Sequence, residues 1–212
     1  MSDEGTTVAT DARVFTAQGL GRLVELVRAR VTPARFAHIV RVAELAAAIA
    51  EANGFTPQER AAVVEAALLH DAARDLSDAE LVRLAPPRLA LERAHPLALH
   101  GRAARELARR WGVTDEVVLG AIEGHVFGVA PHDRVGMALY VADVSEPGRG
   151  VNAHIRELAM TDLPSAYRHA VCSKVEYLER CGKEIHPDTL ATYRAIVGPA
   201  APPARPDAQG AS

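Results

Sequence analysis

Helix starts and stops are written along this chain so regularly that they leave little room for any other secondary structure. "TPARFAHIVRVAELAAAIAEANG" opens on Thr32-Pro33 and closes at Asn53-Gly54. A hydroxyl ahead of a proline satisfies the free N–H groups of a first helical turn, and Asn-Gly supplies the left-handed stop. "TPQERAAVVEAALLHD" repeats the opening with Thr56 and places Glu59 at capping-box spacing, and Ser77 with Glu80 does the same in "SDAE". "HPLALHGRAARELARRWG" begins at Pro96 and stops at Gly112, "TDEVVLGAIEGH" starts from Thr114, and "DRVGMALYVADV" follows a loop. "PSAYRHAVCSKVEYLERCG" and "HPDTLATYRAIVG" each end at a glycine. No segment alternates apolar and β-branched residues with polar ones over strand length. The expected fold class is all-α.

A chain of 212 residues with 49% hydrophobic content can build one substantial core. The expected organisation is a flexible N-terminus over residues 1–13, one helical domain over 14–198, and a disordered tail over 199–212. That tail, rich in Pro and Ala, has no apolar periodicity with which to offset its ordering entropy. A net charge of −3 provides no basic footprint for nucleic acid. No apolar run reaches membrane length, and the acidic start "MSDEG" lacks the pattern of a secretory signal, so a cytoplasmic protein is expected. Two cysteines, Cys172 and Cys181, match neither CxxC redox spacing nor a zinc knuckle and read as inert core thiols.

The chemistry is carried by polar residues on apolar faces. His38 shares a helical face with Val42, Leu45 and Ile49; His100 with Ala104, Leu107 and Trp111; His125 with Val118, Ala121 and Ile122. His70 and Asp71 end the nearly all-apolar "AAVVEAALLHD", and Asp143 sits inside "GMALYVADV". A single core-facing histidine is usually a hydrogen-bonded structural residue. Six such residues are another matter, because buried aspartates cost several kcal/mol without a cation nearby and neutral imidazole is the commonest metal ligand. A mixed His/Asp set suits iron, manganese, cobalt or zinc better than calcium or magnesium. His95, His132, His154 and His169 have no matching partners and read as surface or capping residues.

The order His38, His70-Asp71, His100, His125, Asp143 resembles the HD-domain metal-dependent phosphohydrolases. Their flanks, "RFAHIVRVAELAAAIAE", "ALLHDAARDLSDAEL", "LHGRAARELARRWGV", "AIEGHVFG", "YVADVSEPGRGV" and "IHPDTLATYR", resemble the YqeK family over nearly the whole folded unit. That resemblance implies an HD-domain helical bundle. It implies symmetrical cleavage of diadenosine tetraphosphate into two ADP at an iron-bearing centre, where a metal acidifies the attacking water. His38, His70, Asp71 and Asp143 then resemble the first metal ligands, with Asp71 able to bridge two ions. His100 and His125 complete a second metal site or touch the phosphates.

Arg149 and Arg74 are the candidate phosphate partners, with Asp75 as an orienter or proton donor and His186 near the nucleotide. Two positions depart from the family pattern. Val126-Phe127 replaces the usual pair of threonines after the fourth histidine, removing a hydroxyl that could contact phosphate. Arg74 replaces a lysine. The partner expected is a nucleotide polyphosphate, with no nucleic acid and no membrane, and a homodimer is left open. Another nucleotide or phosphoester substrate, or a non-catalytic nucleotide-binding regulator, remain the alternative readings.

Overall fold

The structure, a computed structural model, describes residues 13–16 and 19–198. The expected disordered tail and, apart from Arg13, the expected flexible start lie outside the described residues. Within them are twelve α-helices, two 3-10 turns and no strand. The helices are α1 (Arg13–Thr16), α2 (Gly21–Arg28), α3 (Pro33–Ala52), α4 (Pro57–Leu69), α5 (Asp78–Leu84) and α6 (Ala90–Ala94). They continue as α7 (His100–Arg110), α8 (Glu116–Gly124), α9 (Arg134–Ser145), α10 (Ala153–Ala159), α11 (Leu163–Arg180) and α12 (Pro187–Val197). The 3-10 turns cover Pro96–Leu99 and Pro147–Arg149.

The caps largely form where the sequence placed them. Thr32 Oγ1 accepts from the Arg35 N–H, and Thr56/Glu59 and Ser77/Glu80 both close as reciprocal capping boxes. One start is corrected: α8 is capped by Asp115, whose carboxylate accepts the Val117 N–H at 2.8 Å, rather than by Thr114. A carboxylate satisfies that free N–H and also meets the positive end of the helix dipole, which a hydroxyl one residue earlier does not. The thiols are corrected too, since Cys172 is only half-buried and Cys181, just past the end of α11, is exposed. His95, His132, His154 and His169 are all exposed.

α3 and α4 form the most extensive helix pair, and α9 lies across both while also touching α8, α10 and α11. This central position explains why "GMALYVADV" has no polar face: every residue from Val135 to Ala142 is buried. Small side chains set the spacing, with Ala43, Ala46 and Ala50 on α3 and Ala62, Ala66 and Ala67 on α4 all in the core. Gly101 marks a similarly close approach, because a Cβ there would meet the Glu123 carbonyl oxygen and a Val126 methyl at 2.8 Å each. This packing holds the ends of α4, α8 and α9, the start of α7 and the second turn of α3 around one point.

Candidate metal centre

His70 and Asp71 immediately follow α4, and His125 immediately follows α8. His38 comes from the buried face of α3, His100 from the first turn of α7, and Asp143 from the last turn of α9. Asp71 lies at the middle. Its Oδ2 is 3.7 Å from His38 Nε2 and 3.6 Å from His70 Nε2, while its Oδ1 is 3.5 Å from His100 Nε2 and 3.7 Å from His125 Nε2. Each oxygen thus faces its own pair of imidazoles. Asp143 Oδ1 joins the first pair, 3.1 Å from His38 Nε2 and 3.9 Å from His70 Nε2. Among the described residues, two groups have donor atoms close enough to share an ion: His38, His70 and Asp143, and His70, Asp71 and His125.

Backbone carbonyls fix which ring nitrogen is free. Nδ1 of His70 lies 2.7 Å from the Ala67 carbonyl oxygen, Nδ1 of His100 2.7 Å from that of Leu97, and Nδ1 of His125 2.6 Å from that of Ile122. A carbonyl only accepts, so Nδ1 carries the proton and Nε2 is left as a bare lone pair directed inward. Burial keeps the His70 imidazole neutral, and burial together with the neighbouring His125 depresses His100 to about 3. His70 is completely buried, and its Nε2 has no hydrogen-bond partner among the described residues. Nε2 of His100 and Nε2 of His125 are 3.0 Å apart, on rings whose Nδ1 atoms both face backbone carbonyls. Lone pairs gathered in this way need a cation, and a divalent transition metal fits the imidazole and carboxylate donors.

The carboxylates are held charged. Burial alone would raise Asp71 and Asp143, but the histidines around them outweigh it and lower both well below the usual carboxylate range. Arg35 Nη1 donates to Asp71 Oδ2 at 2.9 Å, and Arg149 donates to both the side chain and the backbone carbonyl of Asp143.

Residues 35–148 match the HD domain family. The chain is 30% identical over 184 residues, 84% of its own length and 96% of the relative's, to a symmetrical bis(5'-nucleosyl)-tetraphosphatase of Halalkalibacterium halodurans. It is 31% identical to the protein of that name from Bacillus subtilis, covering 81% of this chain and 94% of the relative. The chain is an HD-domain protein of the YqeK family. The HD-domain fold is also found in a crystal structure from Clostridium acetobutylicum, described as a predicted HD superfamily hydrolase involved in NAD metabolism. It has a TM-score of 0.76 and 23% identity over 84% of this chain and 96% of that one.

The HD-domain cluster opens into a cavity of about 1020 Å³, whose lining includes Asp71, His100, His125, Asp143, Arg74 and Arg149. Two residues singled out in the sequence lie elsewhere. Asp75 accepts from the Thr32 backbone N–H at 2.9 Å and from its hydroxyl, and its other oxygen is 3.6 Å from Arg35 Nε. It therefore braces the start of α3 and the arginine that contacts Asp71. His186 caps α12, stacks on Phe127 with ring centres 3.8 Å apart, and places Nε2 3.3 Å from the buried Glu92. It does not line the cavity.

The structure also adds residues that the motif reading passed over. Glu146 Oε1 is 3.0 Å from His38 Nδ1, and Arg41 Nε donates to Glu146 Oε2 at 2.7 Å. Burial would raise Glu146, but the hydrogen bonds from Arg41 and His38 lower it to about 2. This carboxylate plays for His38 the part that a backbone carbonyl plays for the other three histidines, fixing the ring orientation. The signal was present in the sequence. Arg35, His38 and Arg41 recur at three-residue intervals on α3, and Glu146 stands one turn beyond Asp143.

Proposed function

We propose that this HD-domain protein hydrolyses dinucleoside tetraphosphates, diadenosine tetraphosphate first among them, symmetrically into two nucleoside diphosphates. The observation that carries the reading is the division of Asp71, one oxygen toward His38 and His70 and the other toward His100 and His125. One carboxylate between two imidazole pairs would suit a site for one or two metal ions, which would supply Lewis acidity toward a phosphoanhydride. The names of the Halalkalibacterium and Bacillus relatives support the substrate class. The ligands proposed are His38, His70, Asp71, His100, His125 and Asp143, and the metal is iron, with manganese, cobalt or zinc as functional substitutes. When bound, such an ion supplies Lewis acidity and a water acidified toward neutral pH.

The chain's own residues do the rest. The imidazoles of His70 and His100, kept neutral by burial, present lone pairs without competing for protons, and Asp71 and Asp143 stay ionised. Arg149 and Arg74, on the wall of the same cavity, supply fixed positive charge as the diphosphate leaves. Asp75 enters only as the support of Arg35. We place this activity in the cytoplasm, where unpaired thiols such as Cys172 and Cys181 are ordinary.

A second reading, hydrolysis of another nucleotide or phosphoester, draws on Val126, which lines the cavity where the family pattern has a hydroxyl. Product chromatography separates the two. Incubation with diadenosine tetraphosphate and iron or manganese should give ADP alone. ATP plus AMP would overturn symmetrical cleavage, and turnover confined to other phosphoesters in a nucleotide panel would favour the second reading.

A further inference from the structure

Two polar groups on the cavity wall, one half-buried and one fully buried, have no part in the metal centre. Lys174, on α11, donates to the Val126 backbone carbonyl and holds its amine 5.6 Å from the centre of the Tyr140 ring. Among the described residues no carboxylate lies within ion-pair distance of this ammonium. Tyr140, on α9, is 1% exposed, and its hydroxyl has no hydrogen-bond partner among the described residues. Both line the cavity that contains Asp143 and Arg149, with Ser173 beside them. Tyr140 and Asp143 are three residues apart, on one face of α9.

A half-buried ammonium with no carboxylate in ion-pair contact, only the field of Asp143 acting on it, and a buried hydroxyl without an acceptor are both costly arrangements, and one anion would answer both. Burial raises the Tyr140 phenol, so at neutral pH it stays an O–H donor. Burial lowers Lys174 only to about 8, so it stays cationic at pH 7. A single water would answer the hydroxyl but leave the charge unbalanced. The complement of both is an anion with several acceptor oxygens, which is the chemistry of a phosphate group.

We propose that Lys174 and Tyr140 form a phosphate subsite beside the metal centre, holding a phosphate that is not the one attacked. That this phosphate belongs to a nucleoside polyphosphate rests on the function proposed above; the donor pair itself calls for a phosphate anion. On the Asp143 side of the cavity, the subsite anchors the terminal phosphate of the leaving diphosphate half and separates nucleoside diphosphates from monophosphates. It also places a cation next to the carbonyl of Val126, at the position where the family's threonine is missing.

Calorimetric titration of the full chain with ADP, AMP and inorganic phosphate tests this. Lys174→Met should weaken ADP about 10- to 100-fold, the scale of a charge-assisted contact, with a much smaller effect on AMP, so the preference for ADP over AMP collapses. Tyr140→Phe, which removes one oxygen and keeps the ring, should reduce that preference about threefold to tenfold, and Lys174→Arg should retain most of it. An unchanged preference in Lys174→Met and Tyr140→Phe would overturn the subsite and leave Lys174 as a brace for the Val126 carbonyl. If Lys174→Met does not melt cooperatively, Tyr140→Phe decides alone. Inorganic phosphate binding as tightly as ADP, and falling equally in Lys174→Met, would overturn the nucleotide assignment. Hydrolysis to ADP with a preference independent of Lys174 would sink only the subsite. A Lys174-dependent preference without hydrolysis would sink only the enzymatic reading.

Discussion

Asp71→Asn should reduce turnover of diadenosine tetraphosphate by about a thousandfold or more, because the lost contact serves both halves of the centre and is worth several kcal/mol of charge stabilisation. The substitution is isosteric, so the cavity keeps its shape. It exchanges one oxygen for an NH₂ group, which presents donors where Asp71 presents a lone pair to a pair of imidazoles. Both imidazole pairs lose the shared negative charge, and whichever way the amide turns, either His38 and His70 or His100 and His125 face an NH₂ group in place of an acceptor. Arg35 keeps Asp75 at 3.6 Å, so the arginine is not left without a counter-charge. Steady-state kinetics together with a thermal melt would check it. Turnover within tenfold of wild type in a folded protein would remove Asp71 from the chemistry.

Glu146→Gln should weaken metal binding about 10- to 100-fold, the usual consequence of losing the carboxylate behind a ligating histidine. Glutamine can still accept from His38 Nδ1, but it cannot balance Arg41, which donates to both Glu146 oxygens at 2.7 and 3.2 Å. His38 would then be less firmly oriented and less basic. Competition with a chelator of known affinity reads this directly, and turnover should recover substantially in excess metal. Unchanged affinity would mean that Glu146 is only a structural anchor for the turn at Pro147–Arg149.

Much of this centre was legible in the sequence for one physical reason. His38, His70, Asp71, His100, His125 and Asp143 each interrupt an apolar helical face, and a polar group in such a place needs an explanation that pattern alone exposes. The six converge because the helix order brings those faces together, which periodicity does not specify. Asp75 and His186 show the limit. Each neighbours a motif, yet one is taken up by Thr32 and the other by Glu92 and Phe127, contacts made across 43 and 94 residues of chain. Glu146 was missed because "SEPGR" drew attention to its arginine. Lys174 and Tyr140 were hidden for the opposite reason: a lysine on a long amphipathic helix and a tyrosine in a core helix are ordinary until the ammonium proves to lack an ion-pair partner and the hydroxyl an acceptor. The short helices α6 and α10 escaped because neither Leu89 nor Asn152, the residues at their N-caps, offers a capping side chain, and the start of α6 is held instead by Glu92 from within the helix.

The imidazoles and carboxylates around Asp71 are expected to hold metal. Elemental analysis of wild-type protein purified without chelator tests it most directly, beside an assay of the same sample after metal removal. The expected result is at least about one transition-metal ion per chain, iron foremost, with turnover lost on stripping and restored on adding the metal back. A chain that carries no metal and still hydrolyses its substrate at full rate in excess chelator would contradict the account.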